Sequence, residues 1–372
     1  MNKIISNNPF YFGGVVSGEH FCNRKSEIAT IQSDLNNGLN LLIYAPRRFG
    51  KTSLIENTLQ PINTHHIFLD MMSITDEKEF INDYFNAIST SLYTTTDKVI
   101  NFFKNILNIR PNISVDFDQT GQAKYSLSFS VSEQPDVFRE IVNIPNRYAI
   151  HQKKRVIVVF DEFQEIRRLG FEDKLRAALQ THSDHVAYLF SGSKKSIMTQ
   201  IFFDKTNAFY RSVKHVPILP IDDESWIDYI GTGFQHYQKR ISTDQITGIL
   251  TVSNGFPYYT QQIAYEIFQI TAETCNDDHV KQAVSSILDR ETDLFLFEWE
   301  NLSTNQKKAL KMLINTGGKN IYRKKTMDKF GLTNSSLKKA IEGLMAKDVV
   351  DLSPDGYYLQ DPLFAYFLKT RF

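Results

Sequence analysis

Cysteine is nearly absent from this chain of 372 residues: Cys22 and Cys275 lie far apart and without metal-ligand spacing. That excludes a disulfide framework and a zinc site, and it suits a reducing compartment. No stretch approaches the roughly eighteen apolar residues of a membrane-spanning helix. The opening Met1-Asn2-Lys3-Ile4-Ile5-Ser6-Asn7-Asn8-Pro9 lacks the continuous apolar core of a signal peptide. The expectation is a soluble, unexported, cytoplasmic protein without membrane contact. There is no internal repeat, collagen-like run or low-complexity linker. Neither a Gly-x-Ser-x-Gly elbow nor a Gly-rich loop paired with His-Arg-Asp occurs, so serine-hydrolase and protein-kinase chemistry are set aside. His65-His66 followed by Asp70 brings two imidazoles together in sequence, but on a strand they face opposite sides, which argues for core or solvated histidines rather than a metal site.

What is present is enough apolar sequence for substantial cores. At 42% hydrophobic residues the chain is expected to form two or three domains. The most informative segment is Ala45-Pro46-Arg47-Arg48-Phe49-Gly50-Lys51-Thr52, set between the apolar run Leu39 to Tyr44 and the helix-like Ser53 to Leu59. Strand, loop and helix in that order make a phosphate cradle. The loop residues carry the backbone around the β-phosphate, Gly50 allows close approach, and the helix start aims free N–H groups at the anion. Lys51 would neutralise the β- and γ-phosphates and the Thr52 hydroxyl would ligate Mg²⁺, with Ser53 next on the helix. Ala45 stands where glycine is usual, which costs little if its φ stays negative. An ordinary strand-turn-helix is the plain alternative.

A second motif supports the first. Val156-Ile157-Val158-Val159-Phe160 reads as a buried central strand and ends at Asp161-Glu162. Buried strands avoid ionised groups unless something pairs with them, and a metal–triphosphate complex is the natural partner. Asp161 would hold Mg²⁺ through water and Glu162 would act as general base toward the attacking water. Helix capping by Asp161 is the alternative, and it accounts for one acid only. A further strand, Val186 to Phe190, ends in Ser191-Gly192-Ser193, whose hydroxyls fall where a γ-phosphate sensor would sit; a polar turn reads equally well. His65 to Asp70 supplies another strand, so strands and helices alternate as in a parallel sheet whose ligands bind beyond the carboxyl ends.

These residues resemble the archaeal-type ATPases of prokaryotes, within the STAND and AAA+ grouping of P-loop ATPases. Their cradle, the Walker A motif, commonly reads Gly-Pro-Arg-Arg-x-Gly-Lys-Thr. Phe21-Cys22-Asn23-Arg24-Lys25-Ser26-Glu27-Ile28 is similar to the family's Phe-x-Gly-Arg-x-x-Glu-Leu segment near the adenine, with Asn23 in place of glycine. Phe160-Asp161-Glu162-Phe163-Gln164 resembles the family's acidic Walker B strand. Asn254-Gly255-Phe256-Pro257-Tyr258 resembles the Gly-x-Pro motif of the helical lid, where proline packs by the base. The resemblance implies an ASCE/AAA+-like P-loop NTPase fold: an α/β parallel sheet flanked by helices, then a helical lid and a C-terminal winged helix. It also implies that Phe21, Arg24 and Pro257 border the nucleotide and that Arg211, after Phe209-Tyr210 and before the strand-like run Val213 to Leu219, senses the γ-phosphate in the same chain or a neighbour. A surface arginine is the alternative for Arg211. No arginine occurs in Tyr258-Tyr259-Thr260-Gln261-Gln262, where a second sensor is usual, so slow or partner-dependent hydrolysis is expected.

The expected domains are 1–220 for the ATPase, with a half-exposed β-hairpin insertion at about 94–133, 221–301 for the helical lid, and 302–372 for the winged helix. In the insertion Ile113 to Phe117 and Tyr125 to Ser130 alternate around Gln119-Thr120-Gly121, a pattern of surface decoration or partner contact. In the last module, Ser303 to Val350 holds eleven lysines and arginines against three acids, a net +8 inside a chain of net zero. A helix carrying Ala309, Leu310, Met312, Leu313 and Ile314, a short second from Thr326 to Phe330, a third from Ser335 to Ala346, and a hairpin around Ser353-Pro354-Asp355-Gly356 make a winged helix-turn-helix plan. Lys338 and Lys339, with Asn334, Ser335 and Ser336, would meet DNA phosphates or base edges, or simply solvate a face. The reading is an ATP- and Mg²⁺-dependent ATPase whose ATP/ADP state sets the domain arrangement, with DNA, a protein partner or self-association as its outlet. A DNA-binding regulator holding ATP as a structural ligand, or a signalling scaffold, are the rivals.

Overall fold

The strand-forming runs give, in chain order, β1 (Leu41–Tyr44), β2 (His65–Asp70), β3 (Asn112–Phe117), β4 (Ala123–Ser128), β5 (Val156–Asp161), β6 (Val186–Gly192), β7 (Lys214–His215), β8 (Val350–Ser353) and β9 (Gly356–Leu359). They come from a computed structural model that describes residues 8–92, 112–117, 121, 123–128, 137–353 and 355–371. The opening Met1 to Asn7, most of the insertion expected from Thr94 to Glu133, including Gln119 and Thr120, and Pro354 lie outside the described residues. The chain divides into two compact units. A sheet unit comprises Arg24–Pro46 and Lys51–Leu219; a helical unit comprises the residues up to Asn23, Arg47–Gly50 and the chain from Pro220 onward.

In the sheet unit the strand order is β2-β5-β6-β1-β7, all parallel. The β-branched runs of β5 and β6 are buried along their whole length, as expected of central strands covered on both faces. Helix Glu77–Leu92 presents Phe80, Tyr84, Phe85 and Ile88 to this core, where they join Phe160, Phe163 and Phe190. The β3–β4 hairpin forms as expected, with Phe117 exposed and Tyr125 and Leu127 buried in the core. Two asparagines one helical turn apart, Asn86 and Asn82, accept the Tyr125 and Leu127 amides at 2.9 and 3.0 Å, which ties the hairpin edge to the helix. The strand expected from Val213 to Leu219 shrinks to two residues. The Val216 amide still reaches the Leu42 carbonyl at 2.9 Å, but Pro217 and Pro220 have no amide to continue the ladder.

The helical unit begins with Phe10, buried among Tyr229, Phe234 and Phe268. Helices Asp223–His236, Thr243–Ser253, Pro257–Ile270 and Asp277–Glu300 follow, three of them started by side-chain caps at Asp222, Ser242 and Asn276. The terminal module holds helices Thr304–Thr316, Lys324–Phe330 and Asn334–Ala346 and the β8–β9 wing. Helix Pro362–Arg371 had no counterpart in the sequence reading; its Phe364 and Phe367 pack on Phe295 at 5.6 and 5.2 Å between ring centroids. Among the described residues no helix is long and apolar enough to cross a membrane.

Candidate functional site

Parallel pairing sets the carboxyl ends of β1, β2, β5 and β6 along one edge of the sheet, and the candidate residues follow those ends. Ala45 is buried, its amide donates to Gly192 O at 3.3 Å, and it is not among the residues of positive φ, so alanine carries no strain in the glycine position. Gly50 has φ 80°, and a Cβ there would meet Pro257 only at 3.9 Å; conformation, not space, calls for glycine. The helix begins at Lys51, two residues before the helix-like pattern, with Thr52 and Ser53 in its first turn. Lys51 is buried, and its ammonium donates to Ala45 O at 3.1 Å and Pro46 O at 3.3 Å, which lays the charge along the loop carbonyls.

Thr52 and Asp161, 109 residues apart, meet directly: the Thr52 hydroxyl donates to Asp161 Oδ2 at 3.1 Å. Asp161 is 6% exposed, and its Oδ1 accepts the Glu162 amide at 3.0 Å. Among the described residues it accepts no amide from the short helix Phe163–Glu165 that follows. A hydroxyl and a carboxylate are hard oxygen donors of the kind Mg²⁺ takes, so the pair suits an ion that the hydroxyl would bind and the carboxylate would hold through water. Among the described residues no group of three or more His, Cys, Asp or Glu side chains is placed to hold a metal alone. In the register of β2 against β5, Asp70 lies opposite Asp161. Desolvation and the charges of Asp161 and Glu162 hold the Asp70 carboxyl above the usual range, against the Met72 amide it accepts.

Glu162 leaves β5 in the left-handed conformation, φ 49°, which is uncommon for a residue with a long side chain. Its carboxylate accepts the Ser193 hydroxyl at 2.7 Å and a short hydrogen bond from Gln164 Nε2. The end of β5 and the end of β6 are thus joined through side chains. Arg211 is different. It is exposed, in the left-handed region, with its guanidinium over its neighbour Tyr210 at 5.3 Å, and among the described residues it makes no hydrogen bond or ion pair with Asp161, Glu162 or Ser193. Arg24 is buried, donating to Leu219 O at 2.8 Å and paired with Glu27 at 3.2 Å.

In the helical unit Arg47 is exposed, and Phe49 is buried edge-on to Phe256 at 5.1 Å. Pro257 opens its helix, and the next amide, of Tyr258, points at Arg48 O at 3.4 Å. The Arg48 guanidinium stacks over the rings of Tyr258 and Tyr259, each at 5.1 Å, bonds the Tyr259 hydroxyl and pairs with Asp361 Oδ2 at 3.1 Å. Asp361 Oδ1 meanwhile caps helix Pro362–Arg371 by accepting the Leu363 and Phe364 amides at 2.9 and 3.0 Å. Phe21 is half-buried, its amide bonded to Gly18 O. Asn23 has φ 50°, which explains asparagine in a glycine position, and its amide group bonds Asp222 and Ser225.

A family model described as an ATPase domain predominantly from Archaea matches residues 21–263. The chain belongs to this family. A winged helix domain model matches residues 294–370 of this archaeal-type ATPase. Among solved structures, a Walker-type ATPase of Pyrococcus abyssi is similar over 94% of this chain and 97% of its own, at 18% identity and a TM-score of 0.67. The ORC2 protein of Aeropyrum pernix is similar in its ADPNP–ADP complexes over 93% of each chain, at 12% identity and TM-score 0.52. Its ADP form covers 97% of this chain and 96% of its own, at 10% identity and TM-score 0.53. None of the curated proteins matches. The fold is therefore that of a P-loop ATPase, a parallel sheet flanked by helices, carrying a C-terminal winged helix.

Sequence reasoning about this archaeal-type ATPase passed over three side chains that the fold brings into play: Gln164, Asp361 and Tyr259. Gln164 stood in the acidic-strand signature without a role. The pair Asp361-Pro362 carries a helix-start signal that was available. Tyr259 had no local signal at all.

Proposed function

We propose that the chain binds ATP with Mg²⁺ and hydrolyses it to ADP and phosphate. The observation that carries this reading is the Thr52 hydroxyl placed 3.1 Å from Asp161 Oδ2 at the mouth of the cradle. These two side chains would hold Mg²⁺, which when bound offsets the charge of the phosphates. Lys51 exchanges the loop carbonyls for phosphate oxygens, and the amides at the start of helix Lys51–Leu59 bind the same anion. Glu162 accepts the proton of the attacking water, with Ser193 beside it toward the γ-phosphate. Phe21, Arg24 and Pro257 border the base, and Arg211 senses the γ-phosphate within one chain or across two. The ORC2 structures with ADP and ADPNP lend support, being nucleotide complexes of a related fold.

The cycle acts as a switch among an ATPase domain at 1–220, a lid at 221–301 and a winged helix at 302–372. What supports it is Arg48: a cradle residue bonded to Tyr259 of the lid and Asp361 of the last module gives occupancy of the cradle a physical route to both. DNA is the outlet favoured by one feature, the helix Asn334–Ala346, whose Asn334, Ser335, Lys338 and Lys339 are exposed in a segment of net +8. A cytoplasmic location completes the reading. Phosphate release measured with and without duplex DNA, together with calorimetric ATP uptake, tests it. Lys51→Ala should abolish uptake, and Glu162→Gln should keep uptake while losing roughly a hundredfold or more of turnover. Absence of ATP uptake by the unaltered protein overturns the proposal.

A further inference from the structure

We infer that Gln164 is a positioning residue for hydrolysis, an amide clamp that fixes the Glu162 carboxylate against Ser193. The inference rests on the ATPase reading above and deepens it. Gln164 is 2% exposed, and both ends of its amide are used. Its Nε2 donates to Glu162 Oε2 and, at 3.5 Å, lies against the Ser193 hydroxyl, while its Oε1 accepts the Ser193 amide at 3.3 Å. The Ser193 hydroxyl closes the ring by donating to the same Glu162 oxygen at 2.7 Å. A carboxamide suits this place because one rigid plane offers a donor to a carboxylate and an acceptor to a main-chain amide.

The surroundings are built around that plane. Gly192 has an ordinary φ, so its glycine is not a matter of backbone freedom, yet a Cβ there would stand 2.6 Å from Gln164 Oε1 and 2.6 Å from Met198 Sδ. The missing side chain makes the room that the clamp occupies. Glu162 is presented to it by the left-handed turn at the end of β5. A carboxylate held by two donors has its direction set before water arrives, which is how a positioned base gains over a mobile one. Because Ser193 supplies one donor to that carboxylate and also binds the clamp, any rearrangement of Ser193 around a γ-phosphate alters how Glu162 is held. Neither Glu162 nor Ser193 can shift without disturbing Gln164.

The test uses the full chain with ATP and Mg²⁺, and compares Gln164→Met and Gln164→Glu with the unaltered protein and with Glu162→Gln. Gln164→Met should lower kcat by roughly tenfold or more while leaving ATP affinity and KM within about twofold. Combined with Glu162→Gln it should add little, since its effect passes through that carboxylate. Gln164→Glu keeps size and the acceptor for the Ser193 amide but faces Glu162 with a second carboxyl. Its kcat should fall at least as far as that of Gln164→Met with KM still within about twofold, a split that a packing role would not produce. Unaltered kcat in both variants, or equal loss in the Glu162→Gln background, overturns the inference. If Gln164→Met does not fold, the kcat and KM of Gln164→Glu decide alone. Failure of the ATPase reading itself appears separately, as no phosphate release from the unaltered protein.

Discussion

Asp361 offers a way to take apart, atom by atom, the link between a cradle residue and the last helix. One oxygen caps helix Pro362–Arg371, and the other accepts from Arg48 and Tyr259. Losing a cap costs about 1 kcal/mol. The ion pair is partly open to water, with side chains 37% and 28% exposed, so it contributes at most about 1 kcal/mol after screening. Asp361→Ala removes both and should cost about 2 kcal/mol, whereas Asp361→Asn keeps an oxygen for the cap and should cost about half of that. Arg48→Ala forfeits the pair and its stacking on Tyr258 and Tyr259, again about 1 kcal/mol. In a double-mutant cycle Arg48→Ala and Asp361→Asn should couple by roughly 0.5–1 kcal/mol. The readout is convenient, because both tryptophans, Trp226 and Trp299, belong to the helical unit, and urea unfolding followed by their fluorescence reports that unit. At a typical urea slope, 1 kcal/mol moves the midpoint by about half a molar. Zero coupling, with Asp361→Asn as costly as Asp361→Ala, would refute the division of labour between the two oxygens.

Three further outcomes follow from the site and its surroundings. Thr52→Val keeps the volume but not the hydroxyl, so calorimetry should show ATP affinity reduced roughly tenfold or more with Mg²⁺ and little changed in EDTA; an equal reduction in both would show that the hydroxyl serves something other than a cation. Burial pushes the His182 imidazole down to about 4 from its ordinary 6.5, and its Nε2 has no hydrogen-bond partner among the described residues. Between those values the unfolded chain takes a proton that the folded one refuses, so stability should fall as pH falls through that window, by at most about 3 kcal/mol, and His182→Gln should flatten the fall in thermal scans. If the basic helix meets duplex DNA, Lys338→Ala with Lys339→Ala should weaken binding and lower the slope of log affinity on log salt by about one unit for each phosphate no longer met, whereas an unchanged slope would take both lysines out of the interface.

Local chemistry made much of the sheet unit legible. Val156 to Phe160 could only be a buried strand, Ala45 to Thr52 carried its own loop and helix signals, and both predicted the edge of the sheet on which they lie. The wing and its three helices were readable for the same reason, since periodicity and turn residues act over a few positions. Helix Pro362–Arg371 was missed despite the start signal at Asp361-Pro362, because its apolar residues, Leu363, Phe364, Phe367 and Leu368, make a short run whose partners, Phe295 among them, lie far off in the chain. Gln164 escaped because its partner Ser193 lies 29 residues away on another strand. Strand β7 was overestimated because an apolar run says nothing about a ladder interrupted by prolines.

By itself the amino-acid sequence determined which residue types stand at each strand end: the Lys51 ammonium, the Thr52 hydroxyl and the Asp161 and Glu162 carboxylates. Those follow from short-range pattern, and short-range pattern is all that neighbouring residues can express. Which strands lie side by side is a matter of packing between distant segments, and only the tertiary structure decided that β6 pairs with both β1 and β5. That order brings Ser193 and Gln164 onto Glu162, and chain folding over 313 residues brings Asp361 onto Arg48. Both are hydrogen bonds with directional demands, satisfied by the arrangement of whole elements rather than by anything written beside the residues that make them.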